Sequence, residues 1–501
     1  MTDLDTASRS PEGATGPTRA HWWILVVIAC AQLMVVLDTT IMIIALPSAQ
    51  RSLGFSIADR QWVVTAYTLG FGGFLLLGGR LSDLFGPKRT LMVGVIGFAL
   101  ASAIGGAAQS TAMLIGARGL QGMFGALLAP SVLSLLSTTF TDPAERGRAF
   151  GIYATIAIGG AAFGLILGGL LTQYLDWRWC LFVNLPIAAV VAVGAYTMIP
   201  SMSGHDGVRL DVPGAILGCG GLVALVYGLG EAGSFGWSSK HVLIPLVLSA
   251  VLLGLFLVVQ TRSSNPLLPL RVLTNRNRGG SFLCIMLAVF GMYGTFLFLT
   301  YLLQTVDHYS PLVTGVAFLP LMVVNGLSAT QLASRLMPRL PTRVLIVPGL
   351  LIAAVGVALL TQLTPGASYA THVLPTELLL GLGLGLAMVP CISTATSNAE
   401  PRDIGITSAT TNTSQQVGAS VGTALLNTIA ATATAAYLVA HRGSVGAVSE
   451  ATVHGFASAS KWAAASLTLG AVVAAVLINA NPRAKRPSTE ELAVESLGEV
   501  L

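Results

Sequence analysis

The sequence predicts an all-α polytopic membrane protein with fourteen transmembrane helices. Of its 501 residues, 54% are apolar and 9% are Asp, Glu, Lys or Arg, against about 25% charged in a typical soluble domain. Mean hydropathy is +0.78. The charges fall between apolar runs long enough to cross hydrocarbon. This balance excludes a soluble enzyme, a disordered chain and a nucleic-acid binder. The net charge of +5 is scattered, which suits loops beside an anionic inner leaflet, not a nucleic-acid patch.

A hydrocarbon core about 30 Å thick takes about 20 apolar residues as helix. Runs of that kind lie at 23–46, 61–80, 90–109, 113–139, 149–172, 182–200, 212–231, 241–261, 281–305, 314–335, 344–363, 374–396, 406–432 and 462–480. The first and sixth stop at Pro47 and Pro200, and the seventh begins at Pro213, as proline punctuation predicts. The thirteenth is rich in Thr, Ser, Asn and Gln. It reads as a helix only if it packs inside a bundle or faces an aqueous cavity.

An even number of spans puts both termini on one side. With the N-terminus inside, nineteen of the 26 Lys and Arg fall in inner segments. Outer segments hold six, Arg51, Arg60, Arg178, Lys240, Arg442 and Lys461, and Arg118 remains within a span. This asymmetry predicts a multi-pass plasma-membrane protein with both termini cytoplasmic. Residues 1–20 read as a disordered polar tail and 484–501 as an acidic tail, with a short surface helix an option. A cleavable signal is not expected, because the run before Ala45–Ala49 is too long and contains Asp38. The five cysteines are far apart inside apolar runs and read as small buried hydrophobes, with no metal or redox spacing.

An internal repeat organises the chain. Pro130, Asp142-Pro143, Arg146 and Gly160/Gly164 recur as Pro390, Glu400-Pro401, Arg402 and Gly418/Gly422, and Arg80-Leu81 recurs as Arg335-Leu336. The expected organisation is a cytoplasmic tail (1–20), a six-helix bundle (21–201), two inserted linker helices (202–262), a second six-helix bundle (263–480) and a C-terminal tail (481–501). Paired bundles rocking about a midplane site are transporter architecture.

Within this frame a few residues carry chemistry. Asp38 is the one carboxylate well inside an apolar run. An ionised Asp at mid-span costs about 2.5–3.5 kcal/mol on insertion scales, so it must face a cavity, a partner or a proton. Burial penalises the charged form of a carboxyl, which makes Asp38 a site for loading and releasing protons; a structural hydrogen bond to a neighbouring helix is the alternative. Arg118 falls in the same outer half and could couple electrically to Asp38, with direct contact left open; alternatively it snorkels or caps carbonyls of a broken helix. In Gly79-Arg80-Leu81-Ser82-Asp83-Leu84-Phe85-Gly86-Pro87-Lys88-Arg89, Gly79 and Gly86 permit a tight turn. Asp83 can lie against a helix N-terminus as an inner gate, and topology alone explains Lys88 and Arg89. Gly160, Gly164 and Gly168, followed by Gly169, give a small face suited to close helix packing. Glu377, Asn412, Gln415 and Gln416 are possible substrate-cavity residues, with loop solvation or interhelix hydrogen bonds as the alternative.

Together these residues resemble the major facilitator superfamily, in its fourteen-helix drug/proton antiporter branch. Gly79 to Arg89 resembles the gating motif, and Leu37-Asp38-Thr39-Thr40 through Ala45-Leu46-Pro47 the branch's first-helix motif. Arg118-Gly119-Leu120-Gln121-Gly122 is similar to its proton-coupling motif, and Trp177-Arg178-Trp179 with Asn184-Leu185-Pro186 to the start of its sixth helix. Two positions depart from the pattern. Leu165 follows Gly164 where proline is usual, and Pro87 replaces a basic residue.

The resemblance implies the major-facilitator fold, in a bacterial plasma membrane. It implies export of lipophilic or amphipathic drugs or antibiotics in exchange for protons, with Asp38, Arg118 and Gln121 handling the proton and Asp83 at the inner gate. The proton gradient is the expected energy source; no cofactor, metal or nucleic acid is expected, and a monomer is. No lysine follows a glycine, so a phosphate loop is missing, and the seven histidines stand singly, unlike a membrane enzyme's site. Alternatives are a dedicated exporter or importer of one metabolite, such as a self-made antibiotic, a siderophore or an amino acid, and a non-transporting receptor on the same fold.

Overall fold

The computed structural model describes residues 19–56, 59–140, 142–200, 211–263, 266–397, 404–441 and 447–479. The expected tails, apart from Arg19 and Ala20, lie outside these residues, as do Glu400-Pro401-Arg402 of the repeat and Arg442. The first half packs α1 (Arg19–Leu53), α2 (Arg60–Phe85), α3 (Pro87–Gly106), α4 (Thr111–Thr139), α5 (Pro143–Tyr174), the short α6 (Trp179–Phe182) and α7 (Asn184–Met198) on one another. A hairpin of α8 (Val212–Phe235) and α9 (Lys240–Arg262) follows. The second half holds α10 (Leu270–Thr274), α11 (Arg276–Tyr301), α12 (Pro311–Ala317), α13 (Leu319–Leu327), α14 (Ser334–Leu336), α15 (Thr342–Leu359), α16 (Leu374–Thr396), α17 (Ile404–Ala440) and α18 (Ala447–Leu477). The hairpin leans on α2 and α17.

Thirteen helical rods among the described residues are long and apolar enough to cross a membrane, and α5, with 32 residues, is a further rod of that length. Their outward faces show what solvates them. Val93, Ile96, Leu100 and Ile104 on α3, and Ile244, Val247, Val251 and Leu255 on α9, are all exposed at spacings of three or four. In water such stripes drive aggregation; in a bilayer they face lipid. The face at which α1 begins is here the proximal face, and the opposite one the distal face.

Several elements differ from their expected extents. The last span starts at Ala447 rather than 462, and α17 runs on to Ala440 as one 37-residue helix. Lys461 accordingly sits within α18 rather than in a loop. Arg60 is the first residue of α2 and buried. The tenth rod is broken around Phe318, between α12 and α13; Pro320 there removes a backbone donor from the helix ladder. Gly79 lies inside α2, so Gly86 alone makes the expected turn, with φ at +85°, a conformation open to glycine and costly for other residues.

Close backbone contact sets the helix spacing. A Cβ at Gly122 on α4 would overlap the Tyr67 carbonyl on α2, and one at Gly78 the Ala126 carbonyl. The repeated glycines act alike in the two halves. Gly160, Gly164 and Gly168 seat α5 on Leu33, Thr40 and Ile41 of α1, while Gly418 and Gly422 seat α17 on the backbone of Met286 and Phe290 of α11. Gly169 faces elsewhere, 2.6 Å from its Cβ position to the Leu312 Cα of α12.

The substitution Gly122→Val must therefore push α4 off α2, and overpacking costs about 1–3 kcal/mol or more. Gly116→Val, on the same helix where nothing lies within 4 Å, should be nearly neutral. Thermal unfolding of the purified protein in detergent should show a melting temperature lowered by several degrees for the first and little changed for the second.

Candidate functional site

Helices α1, α2, α3, α4 and α7 converge on Asp38. The Arg118 Nη1 donates to Asp38 Oδ2 at 2.5 Å, and both side chains are out of solvent. Gln121 Nε2 and Asn184 Nδ2 each donate to Asp38 Oδ1 at 2.9 Å. Arg118 Nη1 also donates to Gln121 Oε1, and its Nε to the Val63 carbonyl of α2 at 3.2 Å. Ser102 Oγ accepts from Gln121 and Asn184 while donating to the Leu181 carbonyl. The guanidinium lies 4.4 Å over the Tyr67 ring, a cation–π contact strengthened by desolvation.

This arrangement satisfies a charge that hydrocarbon would otherwise expel. The carboxylate accepts three donors, one of them a cation, as a buried anion requires. The α2–α4 glycine contact is what brings the Val63 carbonyl within reach of Arg118. Protonation of Asp38 would remove the negative charge that these three hydrogen bonds satisfy, and so weaken its hold on the donors from α4 and α7. The pair expected as Asp38 and Arg118, with Gln121, is thus brought together in direct contact. Ser102 was not distinguishable by sequence, and Asn184 was marked only by the Asn-Leu-Pro motif.

The halves meet tightly at the distal face. Arg60 Nε donates to Asn427 Oδ1 at 2.7 Å and its guanidinium lies 4.2 Å over the Tyr301 ring. Tyr301 Oη donates to Gln50 Oε1, Gln304 Nε2 to the Ile44 carbonyl, and the Leu312 amide to Gln173 Oε1. Cβ atoms at Gly169 and Gly315 would strike the backbones of Leu312 and Leu165, so α5 and α12 touch main chain to main chain.

At the proximal end the halves part around a cleft of about 350 Å³ lined by Gly79, Arg80, Asp83, Pro130, Ser134, Leu267 and Asn412, among others. Arg80 Nη2 donates to the Pro266 carbonyl, tying α2 to the segment before α10. Asp83 is exposed and lines the cleft. Lys88 does not: its Nζ donates to the carbonyls of Tyr196 and Ile199 and so caps the end of α7. Arg89 is exposed. Of the four proposed cavity residues, Asn412 lines the cleft, and Gln415 and Gln416 are half-buried on α17, with Gln416 packed against Gly72 of α2. Glu377 is elsewhere, fully buried near the distal end of α16 within the second half. A cavity set joining Glu377 to Asn412 is therefore not what the fold builds.

A family model described as Major Facilitator Superfamily matches residues 28–423. The chain is 50% identical over 484 residues to the puromycin resistance protein pur8 of Streptomyces alboniger, covering 96% of each chain. It is 37% identical to the cephamycin export protein CmcT of Amycolatopsis lactamdurans, over 88% of this chain and 92% of that one. It is 31% identical to the multidrug efflux pump LfrA of Mycolicibacterium smegmatis, over 84% and 82%. In fold it is similar to a bacterial homologue of the human lysosomal transporter Spinster, solved inward-facing and unoccupied (TM-score 0.64, 16% identity, 92% and 97% covered). The POT family transporter PepTSo is similar at TM-score 0.65 and 16% identity, over 92% and 99%.

Removing one partner of a buried ion pair costs about 3–5 kcal/mol, because the other charge is stranded. Arg118→Met should therefore destabilise the protein by about that amount at pH 8. Adding Asp38→Asn to Arg118→Met should recover much of the loss at pH 8. Thermal unfolding of wild type and the two variants at pH 8 checks the loss and the rescue.

Proposed function

The chain belongs to the major facilitator superfamily and is a multi-pass membrane transporter, not an enzyme, and from that premise we propose that it exports an amphipathic antibiotic of the puromycin class in exchange for protons. The observation that carries this reading is the buried Asp38–Arg118 pair, held by donors from α4 and α7. The whole-length similarity to a puromycin resistance protein supports the substrate class. Puromycin carries an amine and an aromatic ether on a nucleoside, which suits a cleft with apolar walls and a carboxylate at its rim.

In the proposed orientation the proximal face is cytoplasmic, both termini are inside, and the membrane is a bacterial plasma membrane. The closed distal contacts and the proximal cleft then describe an inward-open state. Substrate enters beside Asp83 and Arg80 while Asp38 is ionised. The Gly79–Arg89 segment is the inner gate, with Arg80 and Asp83 as its moving parts and Lys88 as a fixed anchor on α7. After rocking to the outward-open state, Asp38 takes a proton from outside. Its hydrogen bonds to Gln121, Asn184 and Arg118 rearrange, and substrate leaves. Return to the inward state delivers the proton to the cytoplasm. Each proton supplies about 1.36 kcal/mol per pH unit and about 2.3 kcal/mol per 100 mV, so no nucleotide or other cofactor is required. The transporter works as a monomer.

The dedicated-exporter reading is favoured over broad multidrug efflux by the relatives named for puromycin and cephamycin, and LfrA marks the contrary case. Proteoliposomes enclosing a pH-sensitive dye should report proton movement on addition of puromycin, and a much weaker response to ethidium. Asp38→Asn should slow puromycin-driven proton movement at least about tenfold. Uphill export by that variant at the wild-type rate would remove Asp38 from coupling, and purely downhill flux in the wild type would end the antiport reading.

A further inference from the structure

A second carboxyl is buried in the membrane domain, and its chemistry differs from that of Asp38. Glu377 on α16 is fully buried. Its Oε2 lies 3.1 Å from the Tyr369 hydroxyl, and its Oε1 has no hydrogen-bond partner. The same hydroxyl lies 2.7 Å from the Ala317 carbonyl oxygen, and a tyrosine has one hydrogen to give. A carbonyl only accepts, so at 2.7 Å that hydrogen must point to Ala317, since two lone pairs would otherwise face each other. The remaining contact, Tyr369 to Glu377, is then a hydrogen bond only if the carboxyl supplies the hydrogen.

The surroundings agree with a neutral acid. Among the described residues, the elements packed on α16 bring no cation to the carboxyl. Arg276, Arg278 and Arg343 stand in the first turns of α11 and α15 at the proximal face. On α11, Tyr293 lies toward Arg118, and Tyr301 beneath Arg60. Tyr437 of α17 stacks on His441, and His372 is exposed with its Nδ1 on Thr371. On the π turn Tyr369–Val373 only Tyr369, flanked by Tyr309, meets Glu377. A charged carboxylate in this setting would be unpaired in a membrane interior, where charge is expelled or neutralised.

We propose that Glu377 is a second proton-binding site, occupied in this distal-closed state and coupled through Tyr369 to the distal closure. Ala317 is the last residue of α12, the helix whose Leu312 and Gly315 press on α5. When the proton leaves to the solvent, the carboxylate competes for the tyrosine hydrogen, and the Ala317 carbonyl at the α12–α13 break loses its donor. The proton on Glu377 thus favours α12 seated on α5, and its loss favours release. As a transport step this rests on the antiport reading above; the protonation itself does not.

Two measurements on the full-length protein separate these points. Infrared difference spectra of Glu377→Gln against wild type at neutral pH should show loss of one protonated-carboxyl C=O band. Tyr369→Phe should move that band to higher wavenumber as its hydrogen bond disappears. The glutamine can still donate to Tyr369, so the variant should fold. In proteoliposomes, the proton-to-puromycin ratio from reversal potentials should fall by about one, from about two to about one. Absence of the band in wild type, or its persistence in Glu377→Gln, overturns the site. An unchanged ratio in Glu377→Gln overturns its coupling. Failure of wild type to move protons with puromycin would sink the antiport reading and, with it, the coupling, while the infrared band still decides the site.

Discussion

A charge held in hydrocarbon must be neutralised on the spot, and the first half of this protein is arranged around that requirement at Asp38. One carboxylate collects donors from Arg118, Gln121 and Asn184, while Arg118 reaches across to the α2 backbone at Val63. Five helices are thereby tied to the charge state of a single side chain. The glycines at 78 and 122 serve the same end, because only main-chain contact between α2 and α4 brings the Val63 carbonyl within reach of the guanidinium. A change in the protonation of Asp38 would weaken hydrogen bonds that join α1 to α4 and α7, which is the property the proposed coupling needs.

The two halves answer each other by repeating a packing device rather than a charge. Glycine pairs seat α5 on α1 and α17 on α11, so each half is built around an equivalent helix crossing. The buried Asp38–Arg118 pair lies in the first half. Asymmetry enters where the halves meet: main-chain contact between α5 and α12 and the Arg60–Asn427–Tyr301 cluster close the distal face. The proximal ends of α2, α4 and α17 instead stand apart around the cleft. Opposed closure and opening across one interface is the geometry that rigid-body rocking requires.

Much of this was legible in the sequence, for physical reasons that also mark the limits. Asp38 and Arg118 announce themselves because charge in an apolar run demands a partner. Ser102 does not, since a serine in a membrane helix usually bonds its own backbone and costs little to bury that way. The rotation of a helix that is apolar on every side leaves no periodic signal, so Glu377 could not be told from a cavity residue. Only the fold turns it away from Asn412. Likewise Gly79 reads as turn material because the polar stretch after it looks like a loop, whereas α2 continues to Phe85. The start of α18 escapes a hydropathy reading because Glu450, His454 and Lys461 interrupt its apolar residues, yet these are compatible with a helix buttressed by α17.

Electroneutrality also explains why two carboxyls in one protein need not behave alike. Asp38 shares its site with a guanidinium, so its ionised form is the balanced one and adding a proton leaves a net positive charge. Glu377 shares its site with a tyrosine and a carbonyl, so its protonated form is the balanced one and losing the proton leaves a net negative charge. In the proposed cycle one site is thus unbalanced when it gains a proton, and the other when it loses one. The Asp38 site lies wholly within the first half, whereas the proposed Glu377 site reaches through Tyr369 to the end of α12, which packs on α5. The asymmetry lies in whether a neighbouring helix supplies a cation.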